Sequence, residues 1–365
     1  MTRALISLVV LGIGLPSGAG VVHGAHTPPV KSNPQATWLA SQGGTTCAVR
    51  GGAVYCWGDP LGTEDLERSI IAPKRVAGLA GVDSVSVSSG SACARAQDNL
   101  VCWGDNRWGQ LGDGTTVERR EPVAVKGIDG KVDQVVAGQH HTCAVVDGGA
   151  RCWGHGSYGQ LGDGTKRSPV TTPTRVRGLS SGVTSMAVGI LTTYAVVNGR
   201  LQCWGKNSGG ELNLAPRRDR TTPVNTPLVA QDIVGVRSSS FTTCAYGTTH
   251  VTCWGDNKWN SPASMGSISD LALAWEGGCV IRGGTVACFQ WNSDVLTDVA
   301  LPAPATQVSA GQHHFCALAG GEVYCWGNRS FGALGDGTPR RKVLDPTFVR
   351  ATPAPVAWPS DAPAR

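Results

Sequence analysis

Apolar and polar residues alternate in short bursts along this chain, at a period of two rather than the period of a helix. The clearest burst is Val132-Asp133-Gln134-Val135-Val136-Ala137-Gly138, which predicts a strand. Gln139-His140-His141 turns the chain, and Thr142 to Val146 then faces Ala150 to Trp153 across Asp147-Gly148. That dipeptide accepts the positive φ angles of the tight turns that hairpins favour. A glycine-rich loop follows, and then a Pro-Val segment, Pro122-Val123 or Pro169-Val170, predicted as an outer edge strand. The unit recurs seven times, its hairpin closing on a cysteine at 56, 102, 152, 203, 253, 288 and 325. Periods of this size belong to propellers and solenoids. Three or four short antiparallel strands per unit make a blade, and seven blades make a ring whose sheets bury their faces against one another.

Pairing in the hairpins is set by arithmetic. In a two-residue hairpin opposed positions sum to a constant, so Cys143 faces Cys152 when Asp147-Gly148 is the turn. The same sum centres other turns on Gly51-Gly52, Asn198-Gly199, Gly283-Gly284 and Gly320-Gly321, with weaker turn residues at Gln97-Asp98 and Thr248-Thr249. The cysteines then fall at a non-hydrogen-bonded pair, where Cα atoms approach to about 4.5 Å, within reach of a disulfide. Six bridges are expected: Cys47–Cys56, Cys93–Cys102, Cys143–Cys152, Cys244–Cys253, Cys279–Cys288 and Cys316–Cys325. The thirteenth cysteine, Cys203, faces Tyr194 as half of a lost pair, open to burial or to an intermolecular bridge. The residues after the closing cysteine are Trp-Gly in six units, Trp57, Trp103, Trp153, Trp204, Trp254 and Trp326, and Phe289-Gln290 in the sixth unit. They are assigned to packing between blades.

Composition fits short strands and many turns, with 50 glycines, 21 prolines and 16% charged residues among 365. The net charge of +5 is too mild to imply a nucleic acid or a membrane. Residues 1–24 combine Arg3, an apolar run from Ala4 to Leu15, a break at Pro16 and small residues before Ala25, the pattern of a secretory signal. Export agrees with paired cysteines. Residues 25–36 are expected as a linker, 37–350 as the propeller and 351–365, rich in Ala and Pro, as a disordered tail. No later segment is apolar for long enough to span a membrane.

The runs W-G-D-N-R-W-G-Q-L-G-D-G-T at Trp103 to Thr115, its near copy at Trp153 to Thr165 and W-G-N-R-S-F-G-A-L-G-D-G-T at Trp326 to Thr338 resemble repeats of the regulator of chromosome condensation. So does A-G-Q-H-H-T-C-A-V at Ala137 to Val145. The resemblance covers roughly Thr37 to Arg350, fades in the first, fifth and sixth units and keeps only Gly209-Gly210-Glu211-Leu212 of the loop in the fourth. It implies an all-β, seven-bladed propeller, in agreement with the count of units. The family's founder promotes nucleotide exchange on the small GTPase Ran and docks on chromatin, and other relatives are exported inhibitors or binding platforms. An exported chain meets neither Ran nor chromatin, so the fold is expected to carry over and the founder's activity is not.

Function is sought where the units differ. The corner before each hairpin reads Gln139-His140-His141 in one unit and changes in the others, and all corners line one mouth of the ring. Gln139, His140, Leu191, Phe241, Trp275, Gln312 and His313 are the candidate partner-binding residues, several being apolar where a turn expects polar residues. A rival surface is a basic rim after the loops: Arg119, Arg120, Lys166, Arg167, Arg217, Arg218, Arg220, Arg340 and Arg341, suited to an acidic glycan or nucleic acid. His141 and His314 are expected to bond local backbone, and Asp113, Asp163 and Asp336 their own turns rather than calcium. No nucleophile elbow, recurrent carboxylate pair or phosphate-binding loop is present. The expectation is a non-enzymatic, monomeric propeller without cofactor or metal that binds a protein, or alternatively an acidic polymer.

Overall fold

Seven four-stranded antiparallel sheets succeed one another, each built from a single contiguous stretch of chain. The computed structural model describes residues 34–59, 69–97, 99–226, 232–239, 242–255, 259–260, 267–291, 293, 295–338 and 349–359. The expected signal (residues 1–24) and the expected linker as far as residue 33 lie outside the described residues. Blade three shows the plan: Val132–Ala137 is innermost, followed outward by His141–Val146, Gly149–Gly154 and Val170–Arg175. Every residue of His141–Val146 is buried, because both faces of this strand are covered by neighbouring blades. The outermost strands are wetter, as in Arg119–Ala124, where every residue is half-buried or exposed.

Turn chemistry sets the register. Asp147 and Gly148 take φ of 50° and 71°, and Cys143 opposes Cys152. All six expected disulfides are present, at Cα separations of 4.0–4.1 Å. Tyr194 opposes Cys203 in the same register.

Three of the tryptophans after the hairpins, Trp57, Trp153 and Trp204, lock their blade to the preceding one. Trp153 Nε1 donates to Gln110 O at 2.9 Å, Trp204 Nε1 to Gln160 O at 2.9 Å and Trp57 Nε1 to Ala333 O at 3.1 Å. Gly112 lies flat on the Trp153 indole at φ +71°, where a Cβ would stand 2.7 Å from Nε1.

Around the central channel, the inward edges of the blades are sewn together by polar side chains. Ser86 Oγ accepts from Ala137 N at 2.9 Å, Gln134 Oε1 from Met186 N at 2.8 Å and Asp270 Oδ2 from Val308 N at 3.1 Å. These bonds satisfy main-chain donors that an edge strand otherwise leaves open.

His141 and His314 correct an expectation. Rather than local backbone, each ring meets a threonine hydroxyl of the next blade, His141 Nε2 with Thr193 Oγ1 and His314 Nε2 with Thr46 Oγ1, both at 2.8 Å. The corner points the imidazole into the seam, where a hydroxyl is the nearest polar group.

The seam between blades seven and one closes by faces, without an exchanged strand. Leu39 N donates to Gln307 Oε1 at 2.7 Å and Ser41 N to Ser309 Oγ at 2.6 Å. The disordered tail is also corrected for residues 351–359. Val349–Pro355 is the outer strand of blade seven, with Ala354 opposite Cys325. Composition misleads here because an edge strand tolerates proline on its open side. Beyond it Trp358 crosses to blade one, edge-on to Tyr55 and Trp57 at centroid distances of 5.7 and 6.2 Å, beneath the Arg50 guanidinium at 4.5 Å.

Candidate functional site

Strand directions put the corners and the glycine-rich loops on one face of the ring, and the hairpin turns on the other. Main-chain bonds tie corner to loop, as in His155 N to His140 O at 2.9 Å and Asn328 N to His313 O at 2.8 Å. The two candidate surfaces are therefore the inner and outer parts of the same face.

Two groups of side chains gather on it. In the first, His140 of blade three sits against Trp108 of the preceding loop and His155 of its own loop, with ring centroids 6.3 and 6.0 Å away. Trp108 packs edge-on to His155 at 4.4 Å, and Tyr158 continues the row at 6.0 Å from His155. Burial lowers the pKa of both His140 and His155, and the proximity of His140 lowers that of His155 further. Gln139 is exposed beside this group, its carbonyl accepting from Gln110 Nε2 at 3.4 Å.

The second group spans blades six and seven. Trp275 is 45% exposed, lies edge-on to His313 at 5.0 Å, and is anchored through its carbonyl by Trp291 Nε1 at 2.9 Å. Glu276 Oε1 meets His313 Nδ1. Corner bonds extend the group, Trp275 N to Gln312 O at 2.9 Å and Gln312 N to Gly43 O at 2.8 Å, so three blades contribute. The fold thus brings together Trp275, Gln312 and His313 on one arc and Gln139 and His140 on another. Leu191 stands apart, lining a cavity between blades four and five. Phe241 lies outside the described residues.

Trp108, His155 and Tyr158 were not among the sequence candidates. A signal existed: the residue before Gly-Gln-Leu or Gly-Ala-Leu in the loop is Trp108, Tyr158 or Phe331, aromatic in all three well-kept copies. Reading the loop as scaffold hid it.

Most of the described basic rim is engaged by oxygens. Arg119 bridges Asp113 at 2.9 Å, Arg167 bridges Asp163 at 3.1 Å and Lys166 bridges Asp219 at 2.7 Å. Arg220 donates to the carbonyls of Ala215, Pro216 and Arg218. Asp113 and Asp163 also accept from their own turns, through Thr115 N and Thr165 N at 2.9 Å each. Arg120, Arg217 and Arg218 are exposed with no ion pair among the described residues. Arg340 and Arg341 lie outside them. Cys203 is fully buried and its thiol is pushed up to about 12 by that burial, which disfavours an intermolecular bridge. Among the described residues no helix is long and apolar enough to cross a membrane.

Known proteins share this architecture. Residues 98–145, 147–196 and 305–333 match the regulator of chromosome condensation (RCC1) repeat. Over 320 residues the chain is 27% identical to the ultraviolet-B receptor UVR8 of Arabidopsis thaliana, covering 76% of this chain and 70% of the receptor. Over 100 residues, 25% of this chain, it is 36% identical to the human E3 ubiquitin-protein ligase HERC2, of whose length it spans 2%. The structure of Prp20p from Saccharomyces cerevisiae superposes with a TM-score of 0.68 at 16% identity, covering 88% of this chain and 87% of that one. The matching repeats and the seven blades agree, and the chain is an RCC1-like repeat protein.

Proposed function

We propose that this propeller is an exported, non-enzymatic scaffold or inhibitor that binds a protein through the corner-and-loop face. The carrying observation is the pair of aromatic–histidine groups on that face, around Trp275–His313 and around Trp108–His140. Rigid aromatic anchors surrounded by polar groups are the residue types that dominate protein interfaces. Here they sit on corners stiffened by main-chain bonds from blade to blade, so little order is lost on binding. The six disulfides suit an oxidising compartment, in keeping with the signal-like first 24 residues. Prp20p is described with binding to Gsp1p and histones, which supports protein recognition by this fold without naming the partner here.

The acidic-polymer reading is the weaker one, because Arg119, Lys166 and Arg167 already face carboxylates. Capture from the producing organism's culture and envelope fractions separates the two. The oxidised parent chain should retain a protein that the folded variants Trp275→Ser and Trp108→Ser lose, at salt concentrations that leave the complex intact. Equal retention of an acidic polymer by parent and variants, released as salt rises, would move the function to the rim.

A further inference from the structure

Four of the glycine-rich loops seat a leucine against the blade that follows. Leu111, Leu161, Leu212 and Leu334 are each at most 1% exposed, and they share buried clusters with Trp153, Trp204, Trp254 and Trp57. The carbonyl before the leucine is used as well: Gln110 O accepts from Thr142 Oγ1 at 2.8 Å and Gln160 O from Thr193 Oγ1 at 2.7 Å. Blade six has no such loop. Residues 105–118, 155–169 and 206–219 join the third strand to the fourth in blades two, three and four, but only residues 291–296 do so in blade six. Trp291 and the one leucine of that short link, Leu296, pack back towards blade five, against Tyr246, Val251 and Phe289. At the register position of Thr142 and Thr193, opposite the tryptophan, blade seven carries Phe315. Its ring stacks on Trp326 at 5.9 Å and is only half-buried. What remains between blades six and seven is a notch of about 420 Å³, lined by Phe315, Phe289, Val295, Gln290 and Glu276.

We infer, on the protein-binding reading above, that this notch seats a leucine-bearing loop of the partner protein, as the chain seats its own loops in other seams. Phe315, half-buried, and Val295, 68% exposed, face a space that a leucine fills elsewhere in the ring. Covering them removes apolar surface from water, which favours an apolar side chain there over a polar one. Gln290, exposed at the edge of the notch, can donate to and accept from the main chain of an entering loop. Charge does not select the occupant, because Glu276 is engaged by His313. That same contact makes the notch continuous with the Trp275–His313 group, so a protein gripping those rings passes over it. A second copy of this chain does not supply the loop from the four leucines described, since each is already buried in its own ring.

The test uses the full oxidised chain, isotopically labelled at valine, with the Val295 methyl resonances assigned by Val295→Ile. The probe is a cyclic peptide that copies residues 105–118, beside the same peptide with alanine in place of its one leucine. A saturable shift of the Val295 resonances by the leucine peptide is expected. The alanine peptide should bind at least about tenfold more weakly, the equivalent of losing one buried leucine side chain. Val295→Asp changes an exposed position and should weaken binding of the leucine peptide by a similar factor. In a second variant a copy of residues 105–118 replaces residues 291–296, which fills the notch from within and should abolish binding. No saturable shift, equal affinity of the two peptides, or unchanged affinity in the folded Val295→Asp variant overturns the proposal. Such a failure leaves protein capture through Trp275 and Trp108 standing, whereas loss of that capture leaves the peptide result as it is.

Discussion

Individual side chains act here mainly as fasteners between blades, and their chemistry makes the ring sensitive in specific ways. Gly112 must hold a left-handed φ of +71° while lying against the Trp153 indole. Gly112→Ala therefore meets both backbone strain, about 1–2 kcal/mol, and a contact in which the indole must move. A clear fall in melting temperature is expected, larger than for Gly127→Ala, whose φ is +71° but whose added Cβ meets nothing within 4 Å. His141 and His314 predict a dependence on pH. Burial is the main cause that takes their pKa values from 6.5 down to about 3 and about 4. The unfolded chain takes up protons near pH 6.5 that the folded chain refuses, so this contribution to stability is full above that pH and lost as pH falls below it towards the folded values. Melting temperature should drop between pH 7 and 4.5, and the double variant His141→Gln, His314→Gln should show a shallower slope.

At the scale of the element, the hairpin is the unit that repeats with least change. Its register was legible because glycine- and asparagine-containing dipeptides fix the turn and the cysteine spacing then has one solution, even at Thr248-Thr249, where turn chemistry is weak but Cys244 still opposes Cys253. Each bridge closes a loop of about ten residues, worth about 2.5 kcal/mol on the entropic account of cross-linking. The double variant Cys143→Ala, Cys152→Ala should lose roughly that amount in denaturant unfolding, and a null effect would mean that neighbouring blades already restrain the hairpin. Outer strands were far less legible. Thr297–Val299 is short, and Val349–Pro355 is spotted with prolines, so neither carries the alternation that marks an inner strand. Their place is set by tertiary pairing with the hairpin.

For the whole molecule, closure rests on blade one meeting blade seven and on the crossing of Trp358. Trp358→Ala removes the ring packed on Tyr55 and Trp57 and the bond to Glu322 Oε2 at 2.9 Å. It should cost about 2 kcal/mol, measured by denaturant unfolding, and should make Trp57 fluorescence more accessible to a quencher. The functional face was partly legible at this scale. Corners that vary among otherwise similar copies pointed to His140, Trp275 and His313, but one copy cannot reveal that the loop of blade two would reach His140 through Trp108, since that contact joins different blades. Because every blade is one uninterrupted stretch of chain, no blade depends on a strand lent from the far end of the sequence. An internal unit could therefore be gained or lost in frame without rewiring the closure, and each unit is free to alter its corner while the fasteners stay in place.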